Sequence, residues 1–200
     1  TMLRMMIKED LSCYDFSSVK HMTTAGEALN AEVYKQFKRL TGLKIYEGFG
    51  QSETTMLVGN LKNARLKIGS MGKPAPIYDI ELLGEDGLPV TRGDVGEICV
   101  NIKGGKPCGL FAGYYGDEEK TAEVIKDGYY HTGDTAWQDE DGYFWYVGRR
   151  DDVIKSSGYR IGPFEIESVI MELPYVLECG VSAEPDEVRG QIVKASVVLV

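Results

Sequence analysis

The spacing of apolar residues changes twice along this chain, and that change limits it to a mixed α/β architecture built from unlike parts. Residues 19–24 read as a strand that ends at Ala25-Gly26-Glu27-Ala28. Asn30 then fits a helix N-cap, with Glu32 near the positive end of the helix dipole. Val33, Phe37 and Leu40 recur at i, i+4 and i+7, one buried face, and Gly42 is the expected stop. Leu43 to Tyr46 predicts the next strand. Strand, helix, strand is an α/β layout, whose loops at strand ends bind ligands.

From Gly69 to Val147 the period shortens to two. Tyr78 to Leu83 alternates, Glu85-Asp86-Gly87 is a hairpin signal, and Val95 to Val100 is a second strand. A short helix is expected from Asp117, with Gly128 as its stop, and Asp141-Gly142 turns into an aromatic strand at 143–147. This stretch reads as a mostly antiparallel β-subdomain. Gly148-Arg149-Arg150-Asp151-Asp152 then breaks the pattern. Beyond it, Pro163 suits a first helical position. Ile166, Val169, Ile170 and Leu173 form a stripe that Pro174 ends, and residues 175–183 and 191–200 predict two strands. The expected organisation is a first domain over 1–148, with its β-subdomain at about 69–147, a hinge at 149–152, and a second domain from 153 onward. The chain starts Thr1-Met2 and stops in an apolar strand, so the expectation is a carboxyl-side portion with a truncated second domain.

The chain has 200 residues, 43% of them hydrophobic, and a formal net charge of -9. That charge disfavours nucleic acid and anionic lipid as partners. No apolar run approaches the roughly 18 residues of a bilayer span. Cys13, Cys99, Cys108 and Cys179 are far apart and form no CxxC, and with only two His no zinc-type ligand spacing appears. Reduced, packed thiols and a cytoplasmic location are the expectation. Nothing in the pattern fixes an oligomeric state.

Three segments carry chemistry. In Gly48-Phe49-Gly50-Gln51-Ser52-Glu53-Thr54 the glycines allow close backbone approach to a flat ligand, Phe49 offers a stacking face, and Glu53 offers a hard oxygen ligand for Mg²⁺. Alone, it also fits a glycine-rich turn with a solvated acid. Tyr130-His131-Thr132-Gly133-Asp134 reads as a second turn, where the two oxygens of Asp134 could accept both hydroxyls of a ribose. A capping or turn Asp is the plain alternative, and His131 lacks an adjacent nucleophile that it could serve as base. The third segment runs from Gly148 to Glu167 through Arg149-Arg150-Asp151-Asp152-Val153-Ile154-Lys155-Ser156-Ser157-Gly158-Tyr159-Arg160-Ile161-Gly162-Pro163.

That third segment resembles the hinge and following loop of the adenylate-forming superfamily, which includes acyl-CoA synthetases, peptide-synthetase adenylation domains and luciferases. The two earlier segments then fall into that family's order. Ser156 to Pro163 and Pro185-Asp186-Glu187-Val188-Arg189-Gly190 look most like medium-chain acyl-CoA synthetases. The resemblance implies that Gly26, Glu27 and Ala28 border an adenine. It implies that Glu47, Gly48, Phe49, Gly50, Gln51 and Ser52 contact adenine and phosphate, and that Glu53 is the catalytic, Mg²⁺-associated glutamate. Asp134 and Arg149 would hold the ribose, and Asp151 would be the hinge. Ser157, Gly158, Tyr159, Arg160 and Arg189 would face CoA, with Arg160 counted as catalytic and Gly158 leaving room for pantetheine.

The family's phosphate loop and terminal lysine find no match here, so the chain alone is expected to be inactive. The implied reaction has two steps. A carboxylate, fatty and of short to medium length, attacks the α-phosphate of Mg·ATP to give acyl-AMP and pyrophosphate. The CoA thiol then takes the acyl group and releases AMP. A ligase with another acceptor, or a non-catalytic nucleotide-binding module, is the alternative.

Overall fold

The computed structural model describes residues 2–62 and 64–199. Thr1 and Val200, the two ends discussed above, lie outside the described residues.

Helix α1 (Met2–Met6) and a 3-10 turn at Leu11–Cys13 precede strand β1 (Met22–Thr24). Helix α2 (Ala31–Thr41) begins as the sequence predicts. The Asn30 side chain accepts from the N–H groups of Glu32 and Val33 at 2.8 and 3.3 Å, and Gly42 ends the helix. Its inner face buries Tyr34 and Phe37 against Leu11 and Ile45. Leu40, expected on that face, is 42% exposed, because it lies in the last turn beyond these core residues.

Strand β2 (Ile45–Gly50) runs parallel to β1, with Met22 opposite Ile45. Strands β3 (Met56–Gly59) and β4 (Lys73–Pro74) then add antiparallel, giving the order β1-β2-β3-β4. The second sheet holds β5 (Ile80–Leu83), β6 (Gly96–Asn101), β7 (Ile125–Lys126), β8 (Tyr129–Gln138) and β9 (Phe144–Arg149). Its order is β5-β6-β8-β7, with β9 also on β8, and every pairing is antiparallel. Helix α3 (Glu118–Val124) leads into β7 and is capped by Asp117. It stops before Gly128, the expected stop, because Ile125 and Lys126 pair with Tyr130 and Tyr129.

The two sheets share one core. Leu57 and Val58 of β3 pack with Met71, Ile98, Val100, Tyr130, Ala136 and Phe144. Backbone bonds from Met71 N–H to the Phe144 carbonyl (2.9 Å) and from Phe144 N–H to the Gly72 carbonyl (2.8 Å) stitch the sheets together.

After a turn at 150–152 a third sheet forms from β10 (Ile154–Ser156), β11 (Tyr159–Ile161), β12 (Val176–Asp186) and β13 (Gly190–Leu199), in the order β11-β10-β13-β12. Helix α4 (Pro163–Ile170) starts on Pro163 as expected but closes at Ile170, ahead of Pro174. Its expected stripe is only partly covered: Val169 is 64% and Leu173 40% exposed. No strand pairing among the described residues joins this sheet to the others. The link is local. Phe164 meets the Tyr146 ring edge-on at 6.0 Å, and the Asn30 amide donates to the Ser168 carbonyl at 3.4 Å.

Asn30 thus does two jobs, capping α2 and touching α4. Asn30→Ala should cost about 0.5–2 kcal/mol, the range of a lost N-cap. Asn30→Asp, which keeps the capping oxygen, should recover most of that. Urea unfolding of the two variants separates the cap from the Ser168 contact.

Candidate functional site

Asp134 sits in mid-strand, not at the strand end or turn that the sequence suggests. Gly133, at φ +71, lets β8 kink without leaving the sheet, and the β8–β9 register shifts between Thr135 and Ala136. The kink leaves Asp134 opposite Arg149 of β9 and 4% exposed. Gln51 Nε2 donates to Asp134 Oδ2 at 2.7 Å, Arg149 NH1 donates to the same oxygen at 3.2 Å, and the Tyr146 hydroxyl donates to Oδ1 at 3.1 Å. Gln51 is itself held, its amide oxygen accepting from the Tyr130 hydroxyl at 2.7 Å. Burial raises the Asp134 pKa, while Arg149, Tyr146 and Gln51 pull it back down. The phenols of buried Tyr130 and half-buried Tyr146 are both pushed up, first by desolvation, so they stay protonated as donors. Three of roughly four carboxylate acceptor positions are filled, which leaves one lone pair, on Oδ1, for a ligand.

This cluster forms one wall of a cavity of about 290 Å³. The other walls are Gly26, Glu27 and Ala28 from the loop after β1, Glu47 to Gly50 of β2, and Met71. The first-domain candidates from Gly26 to Gln51, with Asp134 and Arg149, are thereby brought together. Ser52 is exposed and does not line the cavity. A second cavity, about 440 Å³, lies across the same strand. It is lined by Glu47 to Gln51 again, together with His21, Tyr46, Thr55 and Met56. Strand β2 is therefore a partition with a pocket on either side.

Glu53 lies just past this strand. Its Oε1 accepts from the Tyr114 hydroxyl at 2.9 Å, and its Oε2 has no hydrogen-bond partner among the described residues. Glu47 is only 6% exposed. Burial pushes its carboxyl up to about 7, opposed by the Leu29 N–H that donates to Oε1 at 3.0 Å.

The second-domain candidates form a separate group. Ser157 and Gly158 make the tight β10–β11 turn at φ +49 and +85, and the Ser157 N–H donates to the Arg189 carbonyl at 3.0 Å. Arg189 ends the β12–β13 turn, so Ser157, Gly158 and Arg189 sit together at two hairpin tips, next to exposed Tyr159. Open space surrounds Gly158, so its left-handed backbone, rather than lack of room, accounts for glycine there. Arg160 is turned to Glu85 at 3.0 Å, which Lys155 also pairs at 3.1 Å. None of these residues lines the 290 Å³ cavity. Asp151 is exposed in the connecting turn.

Tyr146, Tyr130, Tyr114 and Met71 were not legible as site residues. Tyr146 faces the cavity because β9 pairs with the kinked part of β8, and strand register is not written in residue spacing. Met71 carries no signal at all.

The AMP-binding enzyme family profile matches residues 1–115, and the profile of the AMP-binding enzyme C-terminal domain matches residues 165–200. The mitochondrial acyl-coenzyme A synthetase ACSM3 of Rattus norvegicus is 49% identical over all of this chain, and ACSM4 of Homo sapiens is 48% identical. The chain spans 34% of the length of each. Among solved structures, the anthranilate CoA ligase AuaEII in complex with anthranoyl-AMP superposes with a TM-score of 0.88 at 30% identity, over 98% of this chain and 37% of that one. The amide bond synthetase McbA from Marinactinospora thermotolerans also reaches 0.88, at 26% identity over 99% of this chain and 40% of its own.

The raised Glu47 pKa makes a signed prediction. Its unfolded value is near 4.5 and its folded value about 7, so the neutral form is favoured on folding. The stability it contributes is full below pH 4.5 and is lost as pH rises through 7. Glu47→Gln should therefore match the parent near pH 4.5 and be more stable at pH 8, by up to about 3 kcal/mol at 1.36 kcal/mol per unit. Urea midpoints at the two pH values test it. An equal change at both would show that Glu47 is not buried neutral.

Proposed function

Because the chain belongs to the AMP-binding enzyme family, we propose that it carries the nucleotide-handling part of an ATP-dependent acyl-CoA synthetase. The observation that carries this reading is the double use of β2, whose residues Glu47 to Gly50, with Gln51 just beyond them, line two cavities at once. A nucleotide fits the one closed by Asp134, Tyr146 and Arg149. Phe49 and Tyr146, with ring centroids 6.4 Å apart, offer aromatic faces for the base. The free Oδ1 lone pair of Asp134 suits a ribose hydroxyl, and Arg149 brings a cation. The cavity on the other side, with Tyr46, Met56 and Leu61 among its walls, suits the apolar part of a carboxylic acid of short to medium chain.

A carboxylate attacking the α-phosphate needs orientation and charge stabilisation more than a protein nucleophile. The geometry fits that need, since two ligands in the cavities that β2 lines would lie edge to edge. Glu53 fits Mg²⁺: one oxygen is steadied by Tyr114 and the other is open, as suits a cation held by one or two carboxylates plus phosphates. When bound, Mg²⁺ would offset phosphate charge. Ser157, Gly158, Tyr159 and Arg189, grouped at the hairpin tips, are proposed to meet CoA after the second domain turns at Asp151, with Arg160 released from Glu85. CoA is favoured over an amine acceptor because the relatives at 48–49% identity are named acyl-coenzyme A synthetases.

The four free cysteines suit a reducing compartment. The relatives' names include the word mitochondrial, so a mitochondrial location is proposed alongside the cytoplasm. No helix among the described residues is long and apolar enough to cross a membrane.

Asp134→Asn should weaken ATP binding roughly ten- to a hundredfold, the range of one lost charge-assisted hydrogen bond of about 1.5–3 kcal/mol. Calorimetric titration of ATP, with CoA affinity and stability measured in parallel, checks this. Unchanged ATP binding would leave Asp134 only a fold-stabilising residue.

Asp151→Pro tests the pivot. The Asp151 N–H makes no hydrogen bond among the described residues, so proline removes no bond here yet fixes φ near −65°. In the full-length protein one half-reaction should be largely lost and the other kept, read as pyrophosphate exchange against thioester formation from supplied acyl-adenylate. Loss of neither would place the pivot elsewhere.

A further inference from the structure

Three side chains with metal-ligating atoms converge on β6 and β8, apart from the nucleotide cavity. Glu97 and Cys99 are two residues apart on β6, the pairing with β8 shifts register between them, and Cys99 lies directly opposite His131 of β8. His131 Nδ1 is 3.5 Å from Cys99 Sγ and 3.1 Å from Glu97 Oε2, and the three ligand atoms all lie within 4.8 Å of one another. Cys99 is fully buried, Glu97 is 8% exposed and the His131 side chain 15%. Ligands at about 2.0–2.3 Å from a tetrahedral zinc ion sit about 3.3–3.6 Å from each other. Two of the three edges observed here already approach that spacing.

We propose that Cys99 Sγ, His131 Nδ1 and Glu97 Oε2 form a binding site for a zinc-type divalent cation, with water as fourth ligand. Two further features support the assignment. Glu97 is oriented from behind by the Gly133 N–H, which donates to its other oxygen at 3.0 Å, as outer-shell partners orient ligating carboxylates. The imidazole turns Nδ1, the atom that would ligate, toward both Glu97 and Cys99, while its buried Nε2 has no hydrogen-bond partner. Of the three, Glu97 also lines a cavity of about 420 Å³ with Thr135, Arg150 and Asp151.

A cation already serves this carboxylate. Arg150 NH1 is 2.9 Å from Glu97 Oε2, and the arginine side chain is 52% exposed. Metal and Arg150 compete for one oxygen, so the site and the Arg150 contact exclude each other. On binding, the Cys99 thiol proton leaves to water as the sulfur–metal bond forms. His131 binds as neutral imidazole with its proton on Nε2. Borderline-soft cations that accept sulfur and nitrogen suit this set, and Mg²⁺ does not.

Cobalt(II) is the probe, since a thiolate on tetrahedral cobalt absorbs in the near ultraviolet. Chelator-treated protein should bind one equivalent of Co²⁺ with that band, and Zn²⁺ should bleach it. Cys99→Ser and His131→Gln should each abolish the band, whereas replacing Cys13, Cys108 and Cys179 together should leave it. Arg150→Gln, an exposed change that leaves the core intact, should tighten Co²⁺ binding roughly tenfold by removing the competing positive charge. No band at one equivalent, a band that survives Cys99→Ser, or equal affinity in Arg150→Gln would each overturn the assignment. If both core variants fail to fold, as circular dichroism would show, the band and the Arg150→Gln shift decide alone.

Discussion

Burying the Asp134 carboxylate at 4% exposure obliges neighbouring strands to supply its hydrogen bonds, and those donors fix where the first two sheets meet. Gln51 reaches it from the end of β2, and Tyr146 and Arg149 reach it from β9. The strand carrying Asp134 has to bend to allow this, and Gly133 absorbs the bend at φ +71, where an added Cβ would stand 3.0 Å from Arg149 NH2. One charged group thus selects a glycine before it, a register shift beside it and donors on two other strands. Losing any single donor leaves a buried charge short of a partner, which costs more than the bond itself contributes. The network therefore holds a precise geometry by making its alternatives expensive.

That fixed geometry is what turns β2 into a partition. A strand lined on both sides by cavities loses packing on each face, and its glycines have no side chains to fill the space. The loss is offset next door. Leu57 and Val58 of β3 are fully buried and carry the core across to Ile98, Val100 and Phe144 of the second sheet. Met56 lays its thioether over Gly48 and Gly59, within 2.9 Å of where Cβ atoms would stand, so a flexible side chain takes the place of two absent ones. Glu47 adds strain of another kind, since a carboxyl with a single backbone donor is better off neutral. The site is thus a poorly packed, polar seam between two well-packed layers.

Local signals were readable in the sequence and long-range pairings were not. The N-cap at Asn30, the stop at Gly42 and the start of α4 at Pro163 follow from single-residue chemistry, and the structure has all three. The order of the motifs carried the family, because their residue types are specific to one ligand chemistry. Asp134 was read as a turn residue because a glycine before an acid is turn-like in isolation. Only pairing with β6 on one side and β9 on the other keeps that stretch in a strand. Tyr130, Tyr146 and Tyr114 reach the site through register and loop closure, which act between residues 12 to 79 apart. The Glu97, Cys99 and His131 cluster was hidden for the same reason: its spacing is cross-strand, not that of a metal motif.

The connection to the third sheet is anchored by two arginines. Arg149 ends β9 and Arg150 opens the turn that follows it. Arg149 goes to Asp134 and Arg150 to Glu97, so the strand end is pinned to acids of both β8 and β6. The backbone is pinned as well, since the Arg150 N–H donates to the Gly133 carbonyl at 2.8 Å. Asp151 itself is exposed and its N–H is unbonded among the described residues, but the Asp152 N–H donates to the Arg149 carbonyl at 3.0 Å and closes the turn around it. The proposed pivot at Asp151 is thus a turn held by one backbone bond, directly after two arginines that tie the strand end to acids of the second sheet.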